Sequence, residues 1–190
     1  ALYDYDIYRL GEVIRLATQL RKKVILLGEQ TNSIMDTLKG VNALSIPRNN
    51  EALVDDIFRV REQDIVIIIQ AHRKSLFSMI SSIANGAYED KKIEIKPKDT
   101  FIFAAPPIIG IETVVVDTVD DVYRTGCNVV YLTNKNICDM HAHADDLTTL
   151  LSILRPKFYL PIAGEYRKLL ANAKLAVYSD LGYSHANTFI

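Results

Sequence analysis

The sequence predicts an α/β fold, a mostly parallel sheet with helices on both faces. Three observations carry this reading. Short, continuously apolar runs recur along the chain, as strands buried on both faces require. Stretches with apolar residues at three- and four-residue steps separate them. The connections between successive runs are far too long for hairpins and imply crossovers.

In order, residues 7–20 read as an amphipathic helix, with Ile7, Leu10, Val13, Ile14, Ala17 and Leu20 on one face. Asp6 is its expected N-cap, because a carboxylate there accepts from an otherwise unpaired N–H. The run Val24, Ile25, Leu26, Leu27 is a buried strand ended by Gly28. A helix is expected over 32–39, stopped by Gly40, and another over 51–60. Residues 64–69 (DIVIII) are the clearest strand, almost wholly β-branched. Helix 75–84 follows, then strand 100–104 closed by Pro106 and Pro107. Helix 111–124 precedes Gly126, and strand 129–132 follows. The remainder reads as helix 145–154, a short strand 158–160 and helix 165–178, and residues 187–190 resemble the start of a strand.

The chain has 190 residues, 49% of them apolar, enough for one large domain or a domain with an appendage. Charged residues make up 24% and the formal net charge is −1, so no global field draws it to nucleic acid. Contact with a polyanion would need a local patch. Cys127 and Cys138 are too few for a disulfide framework and read as buried, reduced thiols. No apolar run approaches the ~20 residues that span a bilayer, and the start, ALYDYDIYRL, is no signal peptide. A beginning without Met and an end inside an apparent strand suggest a piece of a longer polypeptide.

The sharpest chemical signal is residues 141–146 (HAHADD). His141, His143 and Asp145 could face one cation, and imidazole with carboxylate suits zinc. The plain alternative is a polar loop leading into a helix whose N-terminus carries Asp145 or Asp146. Residues 70–75 (QAHRKS) follow the best strand and precede a helix. A phosphate could sit there, helped by Arg73, Lys74 and backbone N–H groups, although an ordinary basic turn has the same spacing. Residues 91–98 (KKIEIKPK) read as a solvated loop or hairpin, or alternatively as a phosphate-contacting patch. No Gly-rich nucleotide loop occurs. No nucleophile elbow occurs either, and Ser75 has no obvious base.

Several segments, in order, resemble the ribonuclease J family of the β-CASP group within the metallo-β-lactamase superfamily. Residues 155–167 (RPKFYLPIAGEYR) resemble its R-P-K-[FY]-[FL]-[IL]-P-[VI]-H-G-E-Y-R, and residues 173–176 (AKLA) continue the match. Residues 82–86 (SIANG) resemble S-R-I-A-N-G. Residues 98–103 (KDTFIF) and 107–112 (PIIGIE) resemble G-D-T-V-[IV]-F-S-S-x-P-I-P-G-N-E. Ile7, Tyr8 and Arg9 stand where the family has N-I-x-R.

The departures fall in the site loops. The family's zinc-ligand histidine in P-x-H-G-E is here Ala163, whose methyl group cannot coordinate. The H-x-S-G-H loop falls on Asp139, Met140, His141, Ala142 and His143, keeping only the last histidine. T-G-S-Q-G-E falls on residues 70–75 and none of its letters survives. G-R-S falls on Gly28, Glu29 and Gln30, so a base becomes an acid.

The resemblance implies a Rossmann-like β-CASP domain over residues 1–143. Residues 144–190 would be a strand-helix segment returning to an incomplete metallo-β-lactamase domain. It implies RNA processing or degradation, with zinc as the family's metal, held largely by an upstream His-x-His-x-Asp-His outside this chain. Phosphate or RNA contact falls to His143, His141, Arg9, Arg73 and Lys74, and His143 is the catalytic residue if activity survives. The implied partners are 5′-monophosphorylated RNA and an active paralogue or a second copy, in the cytoplasm and away from membranes. The leading expectation is a catalytically impaired RNA-binding or scaffolding protein. Two other readings are an active zinc-dependent 5′–3′ exo- and endonuclease with a rearranged metal site, and a protein-interaction module that does not touch RNA.

Overall fold

The computed structural model describes residues 1–108, 110–132, 142–162 and 164–190. Cys138, Asp139, Met140, His141 and Ala163 lie outside the described residues. The chain divides into two compact units, Ala1–Cys138 and Asp139–Ile190.

The first unit runs β1 (Leu2–Tyr3), α1 (Ile7–Gln19), β2 (Lys23–Leu27), α2 (Thr31–Gly40), β3 (Ile65–Ala71), α3 (Arg73–Ala84), β4 (Thr100–Phe103), α4 (Glu112–Arg124) and β5 (Asn128–Tyr131). Every strand pair is parallel, and the two ladders are β1-β3-β2 and β4-β5. Ala1 joins them. Its nitrogen donates to the Ile102 carbonyl at 2.7 Å, and the Ala104 N–H donates to the Ala1 carbonyl at 3.1 Å. The order across the sheet is therefore β5-β4-β1-β3-β2.

The strands alternate between two apolar layers, because successive side chains leave a strand on opposite faces. Leu2, Val24, Ile68 and Ala104 pack with Leu10, Ile14 and Ala17 of α1 and Met35 of α2. Tyr3, Ile25, Ile69 and Phe103 pack with Leu76, Phe77 and Ile80 of α3 and Val115 and Val122 of α4. This is the α/β sheet with helices on both faces that the apolar runs predict. Asp6 caps α1 as expected, accepting from the Arg9 N–H at 3.1 Å.

Two expected elements differ. Residues 51–60 are not a helix but an extended stretch and a single 3-10 turn at Val54–Asp56. Val24 donates to the Asn50 carbonyl at 2.6 Å, and Ala52 donates to the Val24 carbonyl at 3.1 Å. The open edge of β2 needs backbone partners, and meeting that need overrides local helix preference. The expected strand at 158–160 is one bridge, Tyr159 with Thr188, in the second unit. The fifth strand of the sheet is instead β1, too short to show as an apolar run.

The second unit holds α5 (Ala144–Leu154) and α6 (Tyr166–Val177). Leu151, Ala176 and Tyr183 form its small core, with Tyr159 and Leu181 against it. Residues 91–98 form a loop in which Lys91, Lys92 and Lys96 are engaged by protein groups. Lys92 pairs with Asp55, and Lys96 pairs with Glu62 at 2.6 Å and Glu94 at 3.2 Å. Cys127 is buried, as expected. Among the described residues no helix is long and apolar enough to cross a membrane.

Helices α3 and α4 are tied by Asp121, which accepts from the Ser81 hydroxyl and pairs with Arg124 at 2.8 Å. The Ser81 hydrogen bond leads in holding its carboxyl below the usual carboxylate range, helped by Asn85 and Arg124. A depressed folded-state pKa adds stability that is present above the unfolded value, near 4, and is lost as pH falls through the folded one. Asp121→Asn is expected to cost about 1 kcal/mol at neutral pH. It should also flatten the loss of stability below about pH 4, read by urea unfolding across pH.

Candidate functional site

Parallel sheets present ligand-binding loops beyond the carboxyl ends of their strands. Here those ends bring together the residues that follow β1, β3 and β4 and the turn that follows β2. Beyond β1 the ladder continues for one bond, from the Asp4 N–H to the Ala71 carbonyl at 3.2 Å. Tyr3 is buried, and its hydroxyl donates to the Pro106 carbonyl at 2.7 Å, fixing the loop after β4. Burial pushes the Tyr3 phenol well above its ordinary pKa, so it stays a neutral donor.

Tyr5 stacks on Tyr3 with ring centroids 5.2 Å apart and planes 6° from parallel. His72 meets Tyr5 edge-on at 5.8 Å, and its Nδ1 lies 3.2 Å from the Asp4 carboxylate. Tyr5 remains 43% exposed. Its phenol is raised chiefly by burial, and Arg73 opposes that rise. His72 caps α3 with extended backbone, and Arg73 opens the helix at φ 40°. That left-handed angle is uncommon for a side chain of this size. Arg73, Lys74 and Ser75 are all exposed at this helix N-terminus, where N–H groups and the macrodipole favour an anion.

Arg9 has a different position. Its Nη1 lies 2.7 Å from Asp6 and 2.7 Å from the Ala104 carbonyl, and its side chain is 18% exposed. It braces the first turn of α1 against the end of β4. Gly28 closes the floor at φ 147°. A Cβ there would stand 2.0 Å from the Gln70 carbonyl and 2.4 Å from Thr31 Oγ1, so only glycine fits. The Gln70 side chain is 1% exposed, and neither of its amide atoms has a partner. Glu29, next to Gly28, is an exposed acid on the same rim.

His143 belongs to the second unit, exposed at the start of α5. Its N–H donates to Asp146 at 2.9 Å, and Asp145 and Asp146 occupy the first turn. This is the polar loop entering a helix, with acids placed against the helix dipole. Among the described residues no three His, Cys, Asp or Glu side chains stand close enough to hold a metal. Of the described candidates Asp145 and Asp146 lie in the first turn of α5, and position 163 carries a methyl group, which cannot coordinate zinc.

Sequence reasoning singled out Arg73 and Lys74 but read residues 70–75 as a loop, whereas Gln70 and Ala71 end β3, Arg73 opens α3 and His72 alone links them; it did not single out Tyr3, Asp4 and Tyr5. The alternation Tyr3, Asp4, Tyr5, Asp6 was the available signal, since period-two patterning marks the end of a strand.

A family description, the β-CASP domain of ribonuclease J, matches residues 1–122. The chain belongs to the ribonuclease J β-CASP family. It is 25% identical over 190 residues to ribonuclease J2 of Bacillus subtilis, covering 100% of this chain and 34% of that protein. It is 27% identical over 172 residues to ribonuclease J of Synechocystis, covering 90% of this chain and 27% of that one. Ribonuclease J 1 of Streptococcus pyogenes is 24% identical over 191 residues, covering 100% and 33%. The chain spans about a third or less of the length of these curated relatives.

Gly28 gives a direct check on how this ribonuclease J-type floor is built. Gly28→Ala is expected to lower unfolding free energy by roughly 2–4 kcal/mol, through backbone strain and the clash with Gln70. Denaturant unfolding measures it; a loss below about 0.5 kcal/mol would contradict the close approach.

Proposed function

We propose that this chain is the β-CASP part of a ribonuclease J-type RNA-processing protein, and that it holds RNA rather than cleaving it. The observation that carries this is the Tyr5, His72 and Arg73 cluster at the carboxyl end of a ribonuclease J-family sheet. Exposed aromatic faces stack on unpaired bases, and a helix N-terminus with Arg and Lys suits a terminal phosphate. Arg73 and Lys74 are assigned the phosphate, and Tyr5 a base. His143 and His141 are proposed as RNA contacts of the second unit in their own right. Arg9 is given a bracing part, because its guanidinium already holds Asp6 and Ala104.

The proposed division is a β-CASP domain over residues 1–143 and a segment over 144–190 returning to a metallo-β-lactamase domain. Zinc is the family's implied metal. With Ala163 at the ligand position, no hydrolytic step is assigned to this chain. The proposed partner is an active ribonuclease J-type paralogue or a second copy, with the assembly in the cytoplasm.

The test is titration of the full-length protein with a 5′-monophosphorylated oligoribonucleotide at stated salt. The double variant Arg73→Ala, Lys74→Ala is expected to weaken binding about 10-fold and reduce the salt slope by about 1–2. Tyr5→Ala is expected to weaken binding about 5- to 50-fold with the salt slope unchanged. Unchanged affinity in both variants would remove this face from RNA contact. Robust chelator-sensitive degradation of the same RNA would overturn the non-hydrolytic part.

A further inference from the structure

Of the asparagines in the chain only Asn85 is followed by glycine. It is the C-cap of α3, with φ −88° and ψ 5°, and Gly86 follows at φ 65°. Both are exposed, and nothing stands within 4 Å of where a Cβ on Gly86 would lie. With no side chain of its own to shield it, the Gly86 nitrogen is the least hindered nucleophile that can follow an asparagine. A five-membered ring closes when that nitrogen meets Cγ of the side chain before it.

Two bonds hold the pair in place. The Gly86 N–H donates to the Ile83 carbonyl at 3.1 Å, and Asn85 Nδ2 donates to Ser81 Oγ at 3.3 Å. Both belong to the last turn of α3, and helix ends open locally with far less free energy than the whole fold. Ring closure needs that turn to fray, because the nitrogen must leave Ile83 and ψ must leave 5°.

The same amide sits beside the tie between α3 and α4. Ser81 Oγ gives its one hydrogen to Asp121, whose other oxygen accepts from Arg124 Nη1 at 2.8 Å. The Ser81 bond leads in holding the Asp121 carboxyl below the usual carboxylate range, and a bond from Asn85 adds to it. The donor in both Asn85 bonds is Nδ2, the atom that deamidation removes.

We propose that Asn85–Gly86 is a site of spontaneous deamidation and that its products break the tie at Asp121. The Gly86 nitrogen bonds to Asn85 Cγ, the Cγ–Nδ2 bond breaks, and ammonia leaves carrying the Gly86 proton. Water then opens the succinimide. Attack at the former side-chain carbonyl gives aspartate. Attack at the main-chain carbonyl gives isoaspartate, with the chain running through Cγ. Either product puts a carboxylate where an amide donated. Ser81 has no second hydrogen to give it, and it meets Asp121 as a like charge. The inference stands apart from the RNA reading.

Two measurements test it. Full-length protein is held in warm, mildly alkaline buffer and digested with trypsin, beside a synthetic peptide of residues 75–91. Fragment 75–91 of the protein should gain about 1 Da and accept methyl from an isoaspartyl methyltransferase, roughly 10-fold more slowly than the free peptide. No gain over about 30 half-lives of the free peptide overturns the proposal. Asn85→Asp, the product in ordinary linkage, should lower the folded-to-unfolded ratio about 2- to 5-fold in urea unfolding. In an Asp121→Asn background the same change should leave the ratio unaltered. An equal loss in both backgrounds, or none in either, overturns the link to Asp121.

Discussion

The structure depends on β3, the strand Ile65–Ala71, which is hydrogen-bonded to β2 and β1 and buries side chains on both faces. Ile68 faces α1 and α2, while Ile69 faces α3 and α4. Because the pleat is fixed, neither layer can slip without turning its apolar residues toward the other. Everything at the carboxyl end inherits its place from this strand. Gly28 is pressed onto the Gln70 backbone, Asp4 bonds to Ala71, and His72 and Arg73 leave the strand directly into α3.

Much of the scaffold was legible because β-branched runs and helical spacing report burial directly. β2, β3, β4 and β5 fall where their apolar runs stand, and Asp6 caps α1 as its position suggests. β1 was not legible, since two residues cannot show a period. The stretch after Asn50 was misread because its conformation answers to the open edge of β2, a tertiary demand invisible in local pattern. At the site, Arg73 and Lys74 were visible as bases following a strand. The stacking of Tyr5 on Tyr3 was not, since it depends on how β1 docks beside β3. The bonds of Arg9 to Asp6 and Ala104 could not be read from sequence either, because they cross from α1 to β4.

Framework and site loops follow different constraints. The residues that pack the two layers are held to volume and apolarity by close packing. The junction of β3 and α3, from His72 to Ser75, is exposed and has no such restraint. It carries His72, Arg73 and Lys74, a cationic and aromatic surface of its own. Glu29 opposes anion binding on the same rim, which is why the proposed phosphate contact is assigned to α3 rather than α2.

The most direct test of the proposed RNA contact is NMR mapping of amide shifts as a short 5′-monophosphorylated oligoribonucleotide is added. Perturbation centred on residues 4–6 and 72–75, weaker near 29–31, is the expected result. Shifts confined to residues 91–98, or no shifts at all, would contradict it.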